Sequence, residues 1–189
     1  PQISHNNCKP LNHIGRMFDN TGEGGIASYL KEKNLAINFG MHSENEGFGF
    51  NHHFCFTRVI LELTDYGMDN IDKVLEAIFS FLLLIKETPV EEHRRLFEQE
   101  KRAQENSFKY HQETSPTYTV RSTCTNFLYY NDADLLRSSL SPDFNEHAIM
   151  DAINHMNQLR FNMLILSEKH ETYPKRELLF DTEYEDIDF

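Results

Sequence analysis

Asp143-Phe144-Asn145-Glu146-His147 sets an acid and an imidazole four positions apart, with a glutamate beside the imidazole. An H-x-x-E-H run works because i and i+4 imidazoles share one helix face and bind zinc, while the glutamate serves as general base. Here Asp143 stands in place of the first histidine, and aspartate can bind zinc. The competing reading is local: Ser141-Pro142-Asp143 precedes a helical pattern, which suits Asp143 as a cap or first-turn acid. The cap is the better reading. The chain holds 10 histidines, so other metal sites need weighing. His52 and His53 are adjacent, which on a strand sends their side chains to opposite faces and makes them poor partners for one ion. His93 follows Glu91 and Glu92 in a charged run and reads as a surface histidine.

Other chemistry is less well supported. No serine or cysteine sits in a nucleophile-elbow motif. Gly22-Glu23-Gly24-Gly25 lacks the Lys-Ser/Thr that a phosphate-cradling loop needs. Its glycines can take positive φ and allow close approach of another chain, although a tight turn before a helix is the better reading of their spacing alone. Three cysteines, Cys8, Cys55 and Cys124, are far apart with no C-x-x-C. That pattern points to a reducing, cytoplasmic setting and away from both a disulfide framework and a thiolate zinc site.

A net charge of −12 disfavours nucleic acid as a partner, since phosphate binding needs a basic face. Acidity suits basic partners or simple solubility. No apolar run reaches the roughly 18 residues of a membrane span, so no membrane partner is expected. With 189 residues, 39% hydrophobic and 25% charged, one globular domain with a real core is expected. The sequence opens at Pro1 without an initiator methionine, as expected of an excised piece or processed product.

These residues must be positioned by helices and strands whose signals are clear in places. Pro1–Ser4 could be an edge strand. Pro10 suits the first turn of a helix through about Phe18. A helix over Gly25–Lys33 leads into a strand from Ala36, then a polar hairpin loop over Ser43–Gly49. Phe50–Leu63 reads as one long strand. Thr64 and Asp65 can cap a helix whose stripe is Ile71, Val74, Leu75, Ile78, Phe79, Leu82 and Ile85. Val90–Phe108 is a second helix after Pro89, with a solvated charged face. Ser115-Pro116 opens a helix through about Tyr129, Asp132–Ser138 a short one, and Ser141-Pro142-Asp143 a helix carrying Ile149, Ile153 and Met156. Arg160–Leu166 is a buried-strand candidate, and Lys169–Phe189 is charged and aromatic without clear period. This order predicts an α+β fold: an antiparallel sheet with helices packed on one face.

Four blocks in sequence carry a family resemblance. Pro10-Leu11-Asn12 through Gly22-Glu23-Gly24-Gly25-Ile26 to Tyr29-Leu30-Lys31 is similar to a segment of the insulinase (pitrilysin) family of zinc metallopeptidases. Ile60-Leu61-Glu62-Leu63-Thr64-Asp65-Tyr66-Gly67 resembles that family's strand-to-helix junction. Asn106 through Pro116, extended by Cys124 and Asn126, resembles the branch that cleaves near paired basic residues. Asp181-Thr182-Glu183-Tyr184 resembles the segment leading into the next domain. Order and spacing carry the likeness, which spans nearly the whole chain.

The resemblance implies a second, non-catalytic domain over residues 1–170, with 171–189 as a linker toward the next domain. It implies zinc in the parent protein but no metal or cofactor in this segment, and no catalytic residue. By analogy His13-Ile14-Gly15-Arg16-Met17 occupies the zinc-helix position, where Arg16 cannot accept a proton and Met17 replaces a ligand. The expected partners are peptide substrates and neighbouring domains of the same polypeptide. The family's substrate-anchoring exosite falls on Asp19, Thr21, Phe39, Gly40 and Met41, where an extended peptide can pair with an exposed strand edge. Gly40 is expected to supply an edge donor. Thr21 stands where the family commonly has a glutamate, and Asn20 where it has a histidine. The alternative is a stand-alone interaction module on a degenerate protease fold; a metalloenzyme using scattered His, Asp and Glu is a further rival.

Overall fold

Pro10 sits at the first turn of helix α1 (Pro10–Phe18), where its missing N–H costs no helical bond. The computed structural model describes residues 9–43, 49, 54–141, 143–156, 161–168 and 173–186. Pro1–Ser4, Cys8, His52 and His53 lie outside the described residues. Two units divide at 158/159. In the first, α1 is followed by α2 (Ile26–Glu32), β1 (Ala36–Ser43), β2 (Thr57–Leu63) and α3 (Asp65–Met68). Then come α4 (Ile71–Glu87), α5 (Val90–Lys109), α6 (Pro116–Asn126), a 3-10 helix over Asp132–Arg137, and α7 (Glu146–His155).

β1 and β2 pair antiparallel from Ala36↔Leu63 to Ser43↔Thr57, with a register irregularity between Ala36 and Asn38. β2 thus starts at Thr57 within the long strand expected over Phe50–Leu63. Upstream of it Cys55 forms an isolated bridge and the Phe56 N–H donates to the Gly49 carbonyl at 2.7 Å, while residues 50–53 lie outside the described residues.

The core joins Ile14 and Phe18 of α1, Ile26 and Leu30 of α2, Ala36 and Met41 of β1, Val74 and Ile85 of α4, and Ala148, Ile149 and Ile153 of α7. Phe18 stacks on Phe39 (ring centroids 6.1 Å apart, planes 12° apart) and meets Phe81 edge-on at 5.2 Å. Those rings fasten α1 and α4 to β1 through packing that is worth more than burial alone. Helices thus cover the sheet as an α+β architecture requires.

Caps account for several helix starts. Thr64 Oγ1 accepts the Gly67 N–H at 2.9 Å and donates to the Asn34 carbonyl at 2.5 Å. It caps only the one-turn α3, however, and the apolar stripe belongs to a separate helix that starts at Ile71 after Asn70. Ser115 Oγ accepts from Tyr118 N–H at 3.3 Å at the head of α6. Asn145 Oδ1 accepts from Ala148 N–H at 3.0 Å, so Asn145 and not Asp143 caps α7. An asparagine one residue before the first acidic position reaches the N3 amide, and Asp143, further upstream, lies outside the helix.

The second unit is a small hairpin, β3 (Lys175–Arg176) with β4 (Glu183–Tyr184), paired antiparallel. Residues 161–166 form no strand, and Leu164 (83%) and Leu166 (86%) are exposed. An apolar run becomes a buried strand only when another strand satisfies its amides, and among the described residues the sheets are β1 with β2 and β3 with β4.

Candidate functional site

Two sites stand out. The first is the edge of β1 beside the end of α1. Asp19 is the C-cap residue of α1 and is solvent-exposed, and its Oδ1 accepts the Met41 N–H at 2.8 Å. Amides alternate in direction along a strand. Since Met41 points its N–H at Asp19, Phe39 and Met41 direct their backbone groups away from β2, whereas Gly40, opposite Ile60, directs its own into the ladder. Gly40 therefore is not an edge donor, contrary to the expectation from sequence. The Phe39 ring is packed on Phe18, leaving its backbone at the edge. Among the described residues β1 pairs only with β2.

The glycine turn shapes the approach to this edge. Asn20 Oδ1 accepts the Gly22 N–H at 3.0 Å, and Gly25 N–H bonds to the Gly22 carbonyl at 3.0 Å. Gly24 has φ +83°, and a Cβ on Gly25 would lie 2.0 Å from the Asn20 carbonyl oxygen, so only glycine fits there. Thr21 is exposed in this turn. The structure thus brings Asp19 and Met41 into contact and sets Phe39 on the same edge; Gly40 faces the other way.

The second site was not legible in the sequence. His13 is buried (2% exposed) and so is His93 (2%), which corrects the surface reading of His93. His13 Nδ1 lies 3.1 Å from Glu100 Oε2, His13 Nε2 lies 3.2 Å from His93 Nδ1, and His93 Nε2 lies 3.1 Å from the Ile85 carbonyl oxygen. A carbonyl only accepts, so His93 Nε2 carries a proton and donates. A neutral His93 then presents Nδ1 as the acceptor for a His13 Nε2–H. Burial is the main cause that pushes the His93 pKa below its ordinary value; the Ile85 carbonyl opposes the shift.

The signal for this cluster was present but masked. His93, Phe97, Glu100 and Gln104 recur at i, i+4, i+7 and i+11 on α5, which is one helix face. Phe97 is buried beside the His13 ring, and Gln104 Oε1 accepts the Ser141 N–H at 2.9 Å. The inward stripe of α5 is mostly polar, and a search for apolar periodicity passes over it.

Zinc does not fit these groups. The ring nitrogens of His13 face different partners on opposite sides, so His93 and Glu100 do not converge with it on one point. Arg16 is exposed and Met17 half-buried, and neither supplies a second ligand or a base. Asp143, Glu146 and His147 are solvent-facing, with Asp143 off the helix, so they do not share the face the motif requires.

The fold is that of an α+β domain with an open sheet edge beside an exposed carboxylate. A family profile for the middle or third domain of M16 peptidases matches residues 108–189. Nardilysin of Rattus norvegicus is 30% identical over 193 aligned positions, covering 100% of this chain and 16% of nardilysin. Nardilysin of Homo sapiens matches to the same extent. The peroxisomal insulin-degrading enzyme-like 1 of Arabidopsis thaliana is 25% identical over 186 positions, covering 97% of this chain and 19% of that protein. The crystal structure of pitrilysin superposes with a TM-score of 0.70 at 19% identity, over 81% of this chain and 16% of pitrilysin, which shows a shared fold. The chain belongs to the insulinase family of M16 metallopeptidases, as a middle-domain segment of it. It spans about a sixth of the length of the nardilysins it matches.

Proposed function

We propose that this chain is a substrate-positioning wall of a nardilysin-like zinc metalloendopeptidase that cuts near basic residues, and that it performs no hydrolysis by itself. The observation that carries this reading is the open edge of β1 at Phe39 and Met41, beside the Asp19 carboxylate. An extended peptide can pair with the Phe39 N–H and carbonyl and with the Met41 carbonyl, which tolerates varied sequence. Met41 N–H is already occupied, so pairing extends no further as a donor. The exposed Asp19 carboxylate, with Thr21 two residues on, offers negative charge to a basic side chain or a terminal ammonium. Zinc and the general base would be supplied by another domain, because the residues here do not fit them.

The alternative, a stand-alone interaction module, would use the same edge without a partner zinc domain. It is favoured only by the absence of a fitting zinc set around His13. The gene's complete reading frame separates the two, since the peptidase reading needs an H-x-x-E-H domain in the same polypeptide.

The test uses a basic peptide and the same peptide with single backbone N-methyl groups, bound to the purified chain and followed by fluorescence anisotropy. Each methyl deletes one peptide donor and leaves the protein unchanged. Loss of one edge bond should cost about 1 kcal/mol, roughly fivefold in affinity. Equal affinity for every methylated peptide would argue against strand pairing. Stoichiometric zinc in the chain, with turnover abolished by His13→Ala or His147→Ala, would overturn the non-catalytic reading.

A further inference from the structure

Helix α6 is turned inside out. Val120, Cys124 and Phe127 recur at i, i+4 and i+7 and so lie on one side, with Leu128 adjoining. All are exposed: Val120 63%, Phe127 59% and Leu128 65%, with Cys124 among them and Leu136 of the next 3-10 helix at 71%. The half-buried side is polar, formed by Ser122, Thr123, Thr125 and Asn126. Asn126 Nδ2 fastens that side by donating to the Leu135 carbonyl at 2.8 Å and to Ser138 Oγ at 2.9 Å. No residue of α6 is fully buried. A helix of 11 residues is marginal in water without tertiary packing. Helices of soluble domains turn the apolar stripe toward a core.

We propose that this stripe is a docking surface for an apolar face of another domain in the same, longer polypeptide. The proposal rests on reading the chain as one domain of a larger peptidase. The chain covers 16% of the nardilysins, so in those relatives far more polypeptide lies outside the matched segment than within it. The middle-domain profile begins at residue 108, which puts all of α6 inside the segment shared with multidomain relatives. Charge argues against a lipid surface: α6 carries a single charged residue, Arg121, and the chain a net charge of −12. A membrane-surface helix instead carries a polar face rich in lysine and arginine.

Hydrogen exchange of residues 116–128 tests this, in the 189-residue chain and in the complete polypeptide of its gene. In the short chain, kept monomeric, exchange should be fast; in the complete polypeptide it should slow by roughly tenfold or more. Val120→Lys or Phe127→Lys should remove that protection in the complete polypeptide without lowering the melting temperature of the short chain. Phe127→Leu should keep the protection. Four results overturn the proposal: slow exchange in the short monomer, a dimer of the short chain that Phe127→Lys dissolves, unprotected α6 in the complete polypeptide, or a reading frame no longer than this chain. Peptidase activity measured on the same complete polypeptide keeps the two readings apart. An active enzyme with an unprotected α6 sinks the docking surface alone, and an inactive one with a protected α6 counts only against the peptidase reading.

Discussion

Asp19, at the end of α1, accepts the Met41 N–H at 2.8 Å, so a side chain and not a neighbouring strand completes that part of the β1 edge. One carboxylate thereby ties helix to strand and sets which backbone groups of β1 remain open to a ligand. Asp19→Ala should lower stability by about 1 kcal/mol, because it leaves a part-buried amide without a partner. Asp19→Asn keeps an acceptor and should restore most of the melting temperature while weakening basic peptides. Unaltered affinity for a basic peptide in Asp19→Asn would remove Asp19 from the recognition site.

Burial holds His93 below its ordinary pKa of 6.5. The unfolded chain therefore takes up this proton at a higher pH than the folded chain does. Stability should fall as pH drops below 6.5 and continue to fall until the folded-state pKa is passed, with a slope of at most about 1.4 kcal/mol per pH unit. His93→Gln retains a donor for the Ile85 carbonyl and an acceptor for His13, and should flatten that slope. Urea titrations between about pH 5 and 7 measure it; identical slopes in the two proteins would refute the assignment.

Gly67 lies against the backbone of Leu35. A Cβ there would come 1.8 Å from the Leu35 carbonyl oxygen and 2.8 Å from its carbon, and backbone cannot rotate aside. Gly67→Ala should cost about 3 kcal/mol by forcing α3 away from the residue that leads into β1. Gly24→Ala is the control: nothing lies within 4 Å, so only its φ of +83° opposes the change, at about 1 kcal/mol. Thermal unfolding of both variants tests the order; a Gly67→Ala no worse than Gly24→Ala contradicts it.

Thr64 is both a cap for α3 and a donor to the Asn34 carbonyl. Thr64→Ala should cost about 1–2 kcal/mol, and Thr64→Ser should recover most of it, since the hydroxyl makes both bonds. Equal loss in Ala and Ser variants would assign the effect to the methyl group's packing instead.

Much of this molecule was legible in local signals. Pro10 marks the start of α1, Ser115 caps α6, the glycines mark the turn before α2, and Ile71 to Ile85 spells out α4. Each signal acts through a residue's own backbone or its neighbours within one turn, and so needs no knowledge of the fold. Blocks in the same order as in the insulinase family pointed to the same family that the comparisons identify. Tertiary structure decided what depends on distant partners. His93 is buried because His13, 80 positions away, and the Ile85 carbonyl bind its two nitrogens. Gly40 faces β2 because a carboxylate 21 positions earlier claims the next amide along the strand. The apolar face of α6 turns outward because Asn126 holds the polar face in. Residue type sets what a group can bind, and only the fold sets which groups arrive beside it.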